Sequence, residues 1–191
     1  MKLKKMKKNT KIFTLGLTKT FILSAVLLVF CNNAKAQTFE LPKYEIKTAK
    51  DCEALEPKVL EAIDYLMNTP PIKKPLTLEE INQERNRLNT LLFIMSFAES
   101  TDKCMIDLNY KVATFLKSKN YNILVIFASG WIKNALTTNT DNKLVGNMAG
   151  IEMVIDYYGK YKDILGKNKE IEKYIKLQNE GKLEEFIKSK I

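Results

Sequence analysis

An all-α fold, a bundle of five to seven helices behind an N-terminal signal peptide, is what the sequence predicts. Three observations predict it. From residue 52 onward, apolar residues return at spacings of three and four over long stretches. Proline, glycine and capping side chains fall between those stretches. The one strand-like run, Ile123 to Phe127, has no partner run of comparable quality with which to build a sheet.

The chain of 191 residues opens MKLKKMKKNTK, rich in lysine and free of acid. An apolar core from Phe21 to Phe30 follows, then Ala34-Lys35-Ala36 ahead of Gln37. A basic start, a short apolar core and small residues at −3 and −1 make a secretory signal peptide spanning residues 1–36. A membrane span needs about 20 consecutive apolar residues, and Lys19 interrupts this run. Two rivals stand beside cleavage after Ala36. One is lipidation at Cys31, for which Leu28 fits and Phe30 does not; the other is an uncleaved anchor.

Cleavage changes what the charge means. The whole chain carries 31 basic and 22 acidic residues, a net of +9. Eight of those lysines and none of the acids precede Gln37, so the exported part holds 23 basic residues against 22 acidic, a net of +1. The excess belongs to the export signal and gives no ground for a nucleic-acid or acidic-lipid partner.

The remaining 155 residues fit one domain with a real core. Residues 37–49 have no helical period and read as an extended lead-in to a single helical domain over 50–191. The first helix is expected from Cys52 to Met67, with Leu55, Val59, Ala62, Ile63 and Leu66 on one face. Pro57 suits only a first turn, so the regular part is expected near Glu56. Residues 68–76, NTPPIKKPL, hold three prolines and form an extended connector.

Thr77 and Glu80 make a capping box. It opens a long helix to about Ser100, with Ile81, Leu88, Leu91, Leu92, Met95 and Phe97 or Ala98 expected inward. A third helix is expected from Met105 to Lys119. Residues 121–136 could be a buried strand, but the helical period continues through Trp131, Ile132, Ala135 and Leu136. A helix apolar all round belongs at the centre of a domain. Asn139-Thr140-Asp141 supplies a turn and cap for a fifth helix, Asp141 to Leu165, which ends near Gly166. The last stretch, Asn168 to Lys190, is amphipathic, and Gly181 is where it can divide.

The chemistry is narrowed by a missing residue type. The chain has no histidine, which removes Ser-His and Cys-His nucleophile pairs and histidine-based metal sites. No phosphate-binding glycine loop is present. No cofactor and no metal site is expected. Cys52 and Cys104 are an even pair in an exported chain and read as a structural disulfide closing a loop of about 50 residues, worth about 4 kcal/mol on chain entropy.

Two weaker candidates for function remain. Glu99 and Asp102 end the long helix among Ser96, Ser100 and Thr101, and two carboxylates are the minimum for glycoside hydrolysis. Solvated helix ends account for them as well. Gly146-x-x-x-Gly150 marks a close helix crossing against Trp131, or else a groove that exposes backbone to an apolar ligand.

Several features together resemble small exported helical proteins of Bacteroidota. They are the A-x-A signal before Gln37, Asn68-Thr69-Pro70 ahead of the connector, and Glu84-Arg85 in the long helix. Phe93 to Phe97 leading to Ser100-Thr101-Asp102 and then Met105-Ile106-Asp107 completes the set, which covers about residues 50–160. A tryptophan near Phe97, expected in such proteins, is missing here. The resemblance implies export and an all-α fold and carries no activity or site residues. The sequence reading is therefore an exported, non-catalytic helical domain with an unknown envelope or extracellular partner and no membrane span in its mature form. A carboxylate hydrolase of envelope glycans and an apolar-ligand carrier are its alternatives.

Overall fold

The computed structural model describes residues 39–118 and 120–191. The signal-peptide reading of 1–36, including Cys31, lies outside these residues. Among the described residues there are six α-helices, one short 3-10 turn and no strand.

The lead-in from Phe39 is extended and pinned rather than free. Its Phe39 ring packs on Tyr65 and its Tyr44 ring on Phe93, with centroids 5.5 and 4.7 Å apart. Helix α1 spans Ala49–Asn68 and starts earlier than Cys52. The reason is a cap that the sequence reading passed over: Asp51 accepts the Thr48 amide at 2.8 Å while Thr48 Oγ1 accepts the Asp51 amide. These hydrogen bonds hold the Asp51 carboxyl below its ordinary value. Pro57 consequently lies inside the helix instead of in its first turn.

Helix α2, Leu78–Ser100, starts on the expected Thr77–Glu80 capping box. Its orientation differs from expectation. Arg87, Thr90, Leu91, Phe93, Ile94 and Phe97 are buried, whereas Ile81, Leu88 and Leu92 are exposed. The helix carries two apolar stripes, and the one interrupted by Arg87 and Thr90 is the one that faces the core.

The expected helix from Met105 to Lys119 does not form. Residues 101–113 are irregular, followed by the 3-10 turn Thr114–Ser118. Asn109 competes with the helix: its side chain accepts the Lys111 amide at 2.9 Å and its carbonyl accepts those of Val112 and Ala113. Val112, Ala113, Phe115 and Leu116 are still buried. They reach the core from a folded loop.

Helix α3, Tyr121–Thr138, is the central helix, buried on nearly every side from Ile123 to Ile132. It is capped by Asn120 and ends on Asn139 in the left-handed region, φ 52°. Helix α4, Lys143–Leu165, is capped by Asn142 and packs most extensively on α3. Gly166 and Gly181, with φ of 80° and 67°, separate α4 from α5 (Lys169–Asn179) and α5 from α6 (Leu183–Lys188). Tyr174 of α5 donates to the Val112 carbonyl at 2.6 Å and anchors the irregular segment from below. No helix among the described residues is long and apolar enough to cross a membrane.

Candidate functional site

The C-terminal end of α2, the irregular segment after it and one face of α3 enclose an open groove of about 660 Å³. That volume is in the range of ligand and peptide sites. Leu124 and Ala128 of α3 form part of the wall, with Met95 and Ala98 of α2 and Ile106 and Leu108 from the segment. The lining also includes Glu99, Asp102 and Asp141.

The structure thus brings Glu99 and Asp102 to one groove and adds Asp141, which the sequence reading placed at a helix start. All three carboxylates are exposed, and none has an ion-pair partner among the described residues. The segment that carries Asp102 is held in place from two sides. Lys103 reaches Glu56 of α1 at 3.6 Å, and the Met105 amide donates to Asp141 at 3.4 Å. Met105 itself is 76% exposed.

Among the described residues no three carboxylate or thiol side chains are placed to hold a metal ion. Apolar walls with a negative lining suit an apolar partner bearing positive charge. The charge is felt locally: burial and the Glu99 carboxylate both push the Tyr121 hydroxyl above its ordinary pKa.

Cys104 lies in the groove wall, and Cys52 is buried in the first turn of α1. Both are free thiols. The disulfide expected between them is not formed, because an even count fixes no geometry and a bond needs closely set, facing Cβ atoms. Burial, with Asp141 adding to it, pushes Cys104 up to about 11. Burial, then the charges of Asp51, Asp102 and Glu56, raises Cys52. Both groups are therefore protonated at neutral pH, and neither is an activated nucleophile.

The Gly146 and Gly150 region is filled by the protein itself. The Trp131 indole lies where a Gly146 side chain would be, and a Cβ on Gly150 would come within 2.7 Å of the Phe127 ring. Trp131, 2% exposed, closes this crossing of α3 and α4. The backbone at Gly146 and Gly150 is thus covered by the Trp131 and Phe127 rings.

One cluster had no counterpart in the sequence reading. Arg87, buried in α2, makes two hydrogen bonds to Glu84, at 3.0 and 3.1 Å, and a third to Asn122 of α3 at 3.0 Å. Its other nitrogen lies 3.5 Å from the Tyr157 hydroxyl of α4. Glu84 also accepts the Ile72 amide of the proline-rich connector at 2.9 Å. Burial pushes Tyr157 up to about 12 against the opposing effect of Arg87. The cluster ties three helices and the connector together. The signal for it was Asn86-Arg87-Thr90 breaking an otherwise apolar stripe. No family model, curated protein or solved structure matches the chain.

Proposed function

We propose that this chain is an exported, non-catalytic helical domain that works by binding a partner in the envelope or outside the cell, through the groove at the end of α2. The observation that carries this reading is the groove itself, with an apolar wall and three exposed carboxylates that have no ion-pair partner among the described residues. Support for export comes from the lysine-rich start, the apolar core and Ala34-Lys35-Ala36.

The test is site-specific photocrosslinking in living cells, with a photoreactive residue in place of Met105 and, as control, of Lys173 on α5. Met105 is expected to give a discrete protein adduct and Lys173 none. Absence of any adduct at Met105, or equal smears at both sites, would sink the reading.

A further inference from the structure

The groove is one end of a longer face. Ile81, Arg85, Leu88, Leu92, Met95 and Glu99 follow each other on α2 at alternating steps of four and three. That is the seam spacing of helices that pair side by side. Yet most of this stripe is turned away from the core: Ile81 and Leu88 are exposed, Leu92 is 53% exposed and Leu78, one step before Ile81, 74% exposed, while Met95 is half-buried at the core's edge. The core is served by the other stripe, with Leu91, Ile94 and Phe97.

The charges on the face are arranged in a particular way. Arg85 and Glu99 are both exposed and have no ion-pair partner among the described residues. Arg85 lies seven residues before Leu92 and Glu99 seven residues after it, about two helical turns in each direction. One end of the face carries the exposed Arg85, with Leu78 on the same stripe and the exposed Leu76 just before the helix. Glu79 is its free carboxylate, since Glu80 serves the cap and Glu84 holds Arg87. The other end is acidic and apolar, with Glu99, Asp102 and Asp141 beside Met105 and Leu108.

We infer that this face takes a second copy of the same chain, in an antiparallel two-fold pairing centred on Leu92 in which Arg85 of each copy meets Glu99 of the other. The inference rests on the binding reading above and names its partner. A two-fold pairing places the same patch on both copies, so Arg85 meets the acidic end of the partner twice. Leu92 meets Leu92, and Leu88 meets Met95 and Ser96. The exposed Leu76 and Leu78 of one copy come over the groove mouth of the other. A parallel pairing would instead set Arg85 against Arg85 and Glu99 against Glu99, which like-charge repulsion disfavours.

Sedimentation equilibrium on the exported protein tests this, comparing wild type with Arg85→Glu, Glu99→Arg and the double reversal. Wild type is expected to dimerise at micromolar concentration. Each single reversal is expected to weaken the dimer by about tenfold, and the double reversal to restore it. Leu92→Glu, a surface change that leaves the fold's melting curve in place, is expected to give a monomer. A wild-type monomer at all soluble concentrations, or a double reversal as weak as the singles, overturns the pairing. If the protein is monomeric while Met105 crosslinks to a different protein, self-pairing fails and the binding reading stands. If Met105 gives no adduct at all, that reading fails with it.

Discussion

Replacing Arg87 with alanine is expected to destabilise the domain by about 3–5 kcal/mol, a large share of what a domain of this size holds. The guanidinium is 1% exposed and is shared by Glu84, Asn122 and Tyr157. Its removal leaves a largely buried carboxylate without its counter-charge and two polar groups without their donor, and that desolvation cost dominates. Lysine does not substitute, because one ammonium cannot match the paired geometry to Glu84 while also reaching Asn122. Urea unfolding of the alanine variant checks the size of the loss. Arg87→Met combined with Glu84→Gln is expected to recover part of it, since the buried charge is then gone from both sides. A loss below about 1 kcal/mol in the single variant would mean that water takes the place of the guanidinium.

Gly130→Ala and Gly159→Ala are expected to move stability in opposite directions. Both residues lie inside helices, where alanine is intrinsically better by about 1 kcal/mol. A Cβ on Gly130 would stand 2.6 Å from the Gly150 Cα and closer still to the Ala149 carbonyl oxygen. These are backbone atoms of α4, so the two helices must move apart, and the net loss is expected to be about 2 kcal/mol or more. A Cβ on Gly159 meets nothing within 4 Å, so that variant is expected to gain about 0.5–1 kcal/mol. Thermal melts of the two variants decide it. Equal small gains in both would show that the α3–α4 crossing is looser than described.

The sequence made the helices legible where local chemistry decides them. Thr77 with Glu80, Gly166 and Gly181 mark boundaries because caps and left-handed turns depend on neighbours in sequence. Residues 121–136 read as the central helix because apolar residues lie on every side of it. What the sequence left open depends on tertiary choice. Helix α2 offers two stripes, and only the fold decides that Arg87 goes in and Leu92 stays out. Over residues 105–113 the apolar spacing suggests a helix, but the Asn109 turn wins. Glu99 and Asp102 could be named as a pair from their spacing. Asp141, the third carboxylate, comes from about forty residues further on, and no pattern connects it to them. The free state of Cys52 and Cys104 likewise follows from where α1 and the groove wall put them, which counting cannot show.

The central claim is that the outer face of α2 and the groove beside it are covered by a partner in the cell. Methionine oxidation by dilute peroxide tests it most directly, since susceptibility follows exposure. Met105 is 76% exposed in the isolated chain, whereas Met153 is half-buried on α4 and does not line the groove. In dilute purified protein Met105 is expected to oxidise well ahead of Met153. In intact envelopes the account predicts that Met105 is slowed while Met153 keeps its rate. Met105 oxidising as fast in the envelope as in dilute solution would contradict it.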